Sequence, residues 1–208
     1  MAIAGRLKDK VAIVTGGAGG IGRATCQRFG VEGAVVAVFD LDGDGAAEVA
    51  AAIIRKGGSA AAFQVDITDW PRVQEAVGQV ERDLGPVAIL VNNAGWDVFR
   101  PFLDTTPELW QKIIAINLLG SLYMHRAVLA LMAERGSGKV VNIASDAARV
   151  GSSGEAVYSA CKGGVVALSK TLARELASKG ITLNVVCPGP TNTNLFKGYL
   201  EGARNHRR

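Results

Sequence analysis

Histidine, cysteine and aromatic residues are all scarce in these 208 residues, and each scarcity closes a route. Two histidines, His125 and His206, would supply a metal site poorly, so no metal is expected. Three cysteines, Cys26, Cys161 and Cys187, make an odd count with no CxxC spacing; this disfavours a disulfide framework and suits a reducing compartment. Aromatic residues are 6% of the chain and no basic stripe is interleaved with them, so nucleic acid is not an expected partner. No apolar run approaches the roughly 18 residues of a membrane span, and residues 1–10 lack the apolar region of a signal peptide. No membrane partner and a cytoplasmic location are therefore expected. No Pro/Ser-rich linker divides the chain, which predicts a single domain over residues 1–208.

What is present is globular in kind, with 49% hydrophobic and 20% charged residues. The 23 basic and 19 acidic residues leave a net charge of +4, which permits an anionic ligand. Glycine is the outlier, at 26 residues without periodicity, well above an average of about 7%, so tight turns and close backbone approaches are required somewhere. Short continuous apolar runs at 11–15, 35–39, 60–65, 87–92, 139–144 and 181–187 read as strands buried on both faces. Helical spacing fills the gaps at 46–55, 73–84, 109–133 and 158–178. Strand and helix in regular alternation predict an α/β fold, a doubly wound parallel sheet with helices on both faces.

Directly after the first run, Thr15-Gly16-Gly17-Ala18-Gly19-Gly20-Ile21-Gly22 leads into a helical segment. Glycines in a strand–turn–helix setting let backbone amides approach a pyrophosphate at a helix N-terminus, where the dipole favours anions. Asp40, at the end of the second run, stands where a carboxylate for a ribose 2′-hydroxyl is expected. The same carboxylate would repel the 2′-phosphate of NADP, and Leu41 and Asp42 offer no cation to receive it, so NAD is the predicted cofactor. Alternatively, Asp40 starts the turn at Asp42-Gly43-Asp44-Gly45 and meets only solvent.

Tyr158 and Lys162 lie four apart, on one face of a helix. An ammonium beside a phenol stabilises phenolate and fits Tyr158 to exchange a proton with an alcohol or carbonyl oxygen, the partner that hydride transfer by a nicotinamide needs. Alone, a Tyr and a Lys at this spacing are also common as a surface pair. Ser145 ends the fifth run, on the side where open α/β sheets bind ligands, though a serine there is also an ordinary turn cap. Asn117 is a poor helix former in mid-helix, which predicts a hydrogen-bonding role or a satisfied interior amide.

Together these residues resemble the classical short-chain dehydrogenase/reductases. The likeness is carried by Thr15-Gly16 with Gly20-Ile21-Gly22, Asp66 after the third run, Asn92-Asn93-Ala94-Gly95, Asn117, Ser145, Tyr158, Lys162, and Pro188-Gly189 with Thr193. The motifs stand in the family's order over nearly the whole chain. The resemblance implies a Rossmann fold and a reaction in which Tyr158 is the acid/base. Lys162 would lower the pKa of Tyr158 and hold the nicotinamide ribose, Ser145 would orient and polarise the substrate oxygen, and Asn117 would hold a water linking Lys162 to solvent. It further implies that Thr15, Gly16, Gly20, Ile21 and Gly22 serve the cofactor's phosphates, and that Asp66 and Ile67 flank its adenine. Asn93, Ala94 and Gly95 would support its ribose and the sheet centre, while Pro188, Gly189 and Thr193 would contact its carboxamide.

The pocket-forming stretches 96–102 and 145–156 most resemble those of 2-hydroxycyclohexanecarboxyl-CoA dehydrogenases of anaerobic aromatic-acid degradation, through Asn93-Ala94-Gly95-Trp96-Asp97 and Asp146-Ala147-Ala148-Arg149-Val150-Gly151. That likeness implies oxidation of a ring hydroxyl to a ketone in a CoA thioester, with Ser145, Trp96 and Arg149 as substrate contacts. Trp96, Phe99 and Phe102 offer apolar area for a ring, and Arg100 or Arg149 a charge for a CoA phosphate. Equally, the aromatics pack under a loop and the arginines are solvated. A straight-chain 3-oxoacyl thioester is the second expectation; Asp40 argues against it, because the related carrier-protein reductases generally use NADPH.

The family continues past the Pro-Gly segment through a helical lid, a seventh strand and a final helix, and the resemblance implies that these are absent or cut short here. On this expectation residues 194–200 begin the lid, the last run lies at a sheet edge, and the Asn205-His206-Arg207-Arg208 tail reflects a truncated or frameshifted reading frame. The alternative function is then a catalytically impaired NAD-binding remnant, with a nucleotide-sensing protein on the same fold ranked last. If the fold is complete, a homo-oligomer is expected.

Overall fold

In a computed structural model, which describes residues 5–193, the apolar runs pair as six parallel strands of one sheet. They are β1 (Val11–Thr15), β2 (Val35–Asp40), β3 (Ser59–Gln64), β4 (Val87–Asn92), β5 (Gly138–Ile143) and β6 (Ile181–Val186), in the spatial order β3-β2-β1-β4-β5-β6. The helices are α1 (Gly20–Val31), α2 (Gly43–Arg55), α3 (Trp70–Asp83), α4 (Pro107–Ile114), α5 (Gly120–Arg135), the short α6 (Ala147–Val150) and α7 (Ala156–Glu175). The strand order reverses between β1 and β4. Right-handed crossovers leaving these two neighbours run to opposite sides, so a crevice opens at their C-terminal ends. The expected segments 194–200 and 205–208 lie outside the described residues.

Both faces of β1, β2 and β4 are covered, which is why their sequences do not alternate, whereas β5 alternates in burial and exposes Lys139. Val11 and Ile13 of β1 join a core with Val73 and Val77 of α3 and Met124, Val128 and Met132 of α5. Ala12 and Val14, pointing the other way, pack with Cys26 of α1 and with Val49 and Ile53 of α2. At the two edges the expectation of double burial fails. Only Phe63 is buried in β3, and β6 alternates, with Ile181 and Leu183 buried and Thr182 and Asn184 exposed. An outermost strand receives one helix, α2 on β3 and α7 on β6, so one face meets solvent.

The helix expected over 109–133 is interrupted. A π-helical turn, Ala115–Leu119, separates α4 from α5. Taken end to end, 107–135 is long and apolar enough to cross a membrane by length and composition. Lys112, His125 and Arg126 break the apolar run, so a search for uninterrupted stretches passes over it. In the fold Met124, Val128, Leu129 and Met132 of this segment lie against the sheet.

The N-terminal segment is tied down by charge. Glu32, which ends α1, is buried, and its carboxylate accepts hydrogen bonds from Arg6 at 2.6 Å and Arg28 at 2.5 Å. The Arg6 hydrogen bond, with help from Arg28, holds the Glu32 carboxyl down at about 2 against an ordinary 4.5. Because the folded value is the lower one, this stabilisation is complete above about pH 4.5 and is lost as pH falls toward 2. Glu32→Gln should therefore lower the thermal midpoint at pH 7 and flatten the acid loss of stability between these limits, as read from melting curves across pH.

Candidate active site

The crevice is a single cleft of about 1230 Å³, larger than the roughly 300–1,000 Å³ of a site for one small molecule. One end is built by the glycine turn. Gly16 and Gly20 hold φ of +63° and +50°, a region where a side chain is strained, and α1 begins behind Gly19 with no side-chain cap. Unoccupied amides at a helix N-terminus suit a pyrophosphate. Beyond them the Asp40 carboxylate accepts the Ala18 N–H at 2.9 Å and the Asp42 N–H at 3.0 Å, which fixes it in the cleft wall. The turn that Asp40 opens is real, and so is its place in the cleft. Asp66, whose Oδ1 accepts both the N–H and the hydroxyl of Thr68, lies with Ile67 on the opposite side. This cradle fits an extended dinucleotide.

Thr15 and Gly22 do not line the cleft; they act from behind it. The Thr15 hydroxyl is buried and accepts the N–H groups of Asn93 and Ala94, both at 3.0 Å, while Asn93 Nδ2 donates back to the carbonyls of Thr15 and Gly16. A Cβ on Gly22 would overlap the Gly16 carbonyl oxygen, so only glycine lets the helix start this close to the turn.

Asn117 sits inside the π-helical turn, a local widening that often marks functional sites. Its side chain does not reach the main cleft. Its Nδ2 donates to the Trp96 carbonyl at 2.6 Å and the Ile113 carbonyl at 2.9 Å, and its Oδ1 accepts the Trp96 N–H at 3.2 Å. It thereby clamps the loop after β4. A void of about 10 Å³, near the size of one water, lies between Asn117, Lys162, Thr15, Asn92 and Ser121. Asn92 Oδ1 is buried without a hydrogen bond, so a polar guest there has an acceptor waiting.

At the far end of the cleft, Ser145 follows β5 and faces Tyr158 on α7, and Gly95, Lys162, Pro188 and Gly189 also line the cleft; Thr193 lies instead against Gly20 of the glycine turn. Lys162 Nζ lies 5.5 Å from the centre of the Tyr158 ring and donates to the Ile143 carbonyl at 3.1 Å. Burial pushes Tyr158 up to about 12, against a lowering hydrogen bond with Ser145, and the carboxyls of Glu155 and Asp97 add to the rise. The same burial lowers Lys162 to about 8. The expected lowering of Tyr158 by Lys162 is therefore not what this arrangement gives. Loss of solvation outweighs an ammonium that is itself short of solvent and committed to a carbonyl.

Residues 10–203 match the family model for short chain dehydrogenase. The chain belongs to that family. An acetoacetyl-CoA reductase of Rhizobium meliloti (strain 1021) is 39% identical over 199 residues, covering 96% of this chain and 81% of the relative. The solved structure of levodione reductase superposes with a TM-score of 0.93 at 31% identity, over 97% of this chain and 80% of that one. An NAD⁺-bound xylitol dehydrogenase gives 0.87 at 33% identity, over 89% and 72%. This short chain dehydrogenase is accordingly an oxidoreductase of alcohols and ketones that works with a nicotinamide cofactor.

Two substrate expectations are corrected by the placement of side chains. Arg149 pairs with Asp146 at 2.9 Å, is two-thirds exposed and does not line the cleft. Phe102 stacks on Trp110 and Phe99 packs over Gly154, so neither lines the cleft. Short i,i+3 pairing and loop packing claim these groups first. Trp96 does line it, with Lys112 Nζ 4.0 Å above its ring. Lys112 and Glu155 are cleft residues that the motifs passed over; the spacing of Glu155, three before Tyr158, was the available signal. Gly22→Ala should weaken NADH binding by at least tenfold while the six-stranded fold is kept, measured by NADH fluorescence titration alongside far-UV circular dichroism.

Proposed function

We propose that the chain is an NAD-dependent dehydrogenase that oxidises the ring hydroxyl of 2-hydroxycyclohexanecarboxyl-CoA to 2-ketocyclohexanecarboxyl-CoA, with Tyr158 as its acid/base. The observation that carries this reading is one cleft with the glycine turn and Asp40 at one end and Ser145, Tyr158 and Lys162 at the other. When bound, the nicotinamide accepts or returns the hydride. In oxidation Tyr158 takes the hydroxyl proton, and in reduction it gives its phenolic proton to the ketone oxygen. Ser145 would share the reacting oxygen and Lys162 would hold the nicotinamide ribose, a reading supported by their common place in the cleft lining. Asn117 would hold a relay water, supported by the small void it shares with Lys162.

NAD is favoured over NADP by Asp40, whose carboxylate occupies the wall where a 2′-phosphate would lie. Arg23 also lines this end, but its guanidinium is bonded to Glu48 at 3.1 and 3.2 Å and to the Ala18 carbonyl. Trp96, Ile116 and Val150 line the cleft and offer apolar area for a ring. A linear hydroxyacyl thioester, as the acetoacetyl-CoA reductase relative invites, is the competing substrate.

NADH should bind at least tenfold more tightly than NADPH, and Asp40→Ser should narrow that gap; equal affinities in the wild type would overturn the NAD assignment. NAD⁺ reduction followed at 340 nm should favour the cyclic over a linear 3-hydroxyacyl-CoA. Tyr158→Phe should lose about 10²–10⁴-fold in kcat while NADH affinity changes little. Turnover that survives in this variant removes Tyr158 from its role, and a linear preference removes the ring substrate.

A further inference from the structure

Near the substrate end of the cleft stand two carboxyl groups that the proton transfer above does not use, Glu155 in its lining and Asp97 buried behind it. Glu155 stands immediately before α7, one turn ahead of Tyr158 on the same helix face, and lines the cleft. Its Oε2 accepts a hydrogen bond from the Ser152 hydroxyl. Asp97, next to Trp96, lies near it where the two substrate loops meet. Arg100 N–H donates to the Gly154 carbonyl at 2.9 Å, and a Cβ on Gly154 would overlap the Phe99 ring, so the loops are joined tightly at this seam.

Both oxygens of Asp97 are shut off from water. A carboxylate without solvent is costly, and two carboxyl groups side by side resist double ionisation. Burial pushes Asp97 up to about 7, with the Val98 N–H opposing the rise and the charge and carboxyl contact of Glu155 adding to it. The charges of both groups reach the reacting position, since each raises Tyr158; Asp97 also raises the Cys161 thiol. The nearby cations are engaged elsewhere: Lys162 with the Ile143 carbonyl, Lys112 over Trp96, and Arg149 with Asp146.

The geometry points to Glu155, backed by the buried Asp97, as a specificity-determining acidic wall, one that rejects a substrate with a negative charge beside the reacting carbinol and admits a neutral thioester or ester there. The inference rests on the ring-hydroxyl reading above. In the free hydroxy acid a carboxylate sits on the carbon next to the carbinol carbon and would be driven against the wall. In the thioester that position is uncharged. Rejection strengthens as Asp97 loses its proton through about pH 7.

The test compares kcat/KM for methyl 2-hydroxycyclohexanecarboxylate and for free 2-hydroxycyclohexanecarboxylate from about pH 5.5 to about 8.5, in wild type, Asp97→Asn and Glu155→Gln. The free acid is ionised throughout this range, so only the protein titrates. The ester should be preferred about tenfold or more at the alkaline end, the scale of one unit charge a few ångströms away in partly desolvated surroundings. That ratio should fall several-fold at the acid end with a midpoint near 7, lose its pH dependence in Asp97→Asn, and drop at every pH in Glu155→Gln. A flat ratio in the wild type, or an unchanged slope in Asp97→Asn, overturns the wall while leaving the alcohol oxidation standing. If neither compound nor the CoA thioester is oxidised, the ring-hydroxyl reading falls and the wall with it. The wild-type slope needs no variant, so a misfolded substitution does not remove the test.

Discussion

The Thr15 hydroxyl, buried at the end of β1, accepts the N–H groups of Asn93 and Ala94 at the end of β4. Here a side chain joins the ladder of β1 and β4 in stitching the sheet across the point where the strand order reverses. Gly16 turns directly from it, and the Asn93 side chain returns to the carbonyls on either side, so the phosphate turn and the loop that begins the substrate end share one anchor. Any group that spans the cleft is measured against that fixed distance. The glycines follow from the same constraint, because the Cβ of another residue at Gly16 or Gly22 would collide with the stitched backbone.

From this seam outward the site is governed more by burial than by pairing. Tyr158 and Lys162 are four apart on α7, yet solvent loss moves both away from their ordinary values in the directions that keep each neutral. Asp97, buried near Glu155, obeys the same rule. The cleft is thus an environment in which charge is expensive.

The inner strands β1, β2 and β4 were legible because strands covered on both faces are apolar at nearly every position, a pattern that survives without tertiary information. Edge strands were legible as strands but not as half-exposed ones, since the Ala-rich β3 and the Val-rich β6 look apolar whether or not a second helix covers them. The break in the long helix left a trace in one residue. Asn117 is out of place in a regular helix, and its amide proves to bond the Ile113 carbonyl within the widened turn and the Trp96 backbone beyond it. The cofactor end was readable because phosphate binding uses backbone and glycine, which appear in sequence as spacing. The substrate end was not, since Arg149, Phe99 and Phe102 are held by neighbours that spacing does not disclose.

The sequence by itself determined the strand and helix alternation, the glycine turn, the carboxylate at Asp40, and the identity of Ser145, Tyr158 and Lys162. These depend on local backbone conformation and on residue chemistry at short separations, and the chain carries both directly. Only the tertiary structure decided that Thr15, Gly22 and Asn117 act from behind the cleft. It alone set Lys112, and not Arg149, beside Trp96, and brought Asp97 next to Glu155. Those outcomes turn on how segments from sixteen to nearly eighty residues apart close over one another, which no spacing along the chain records.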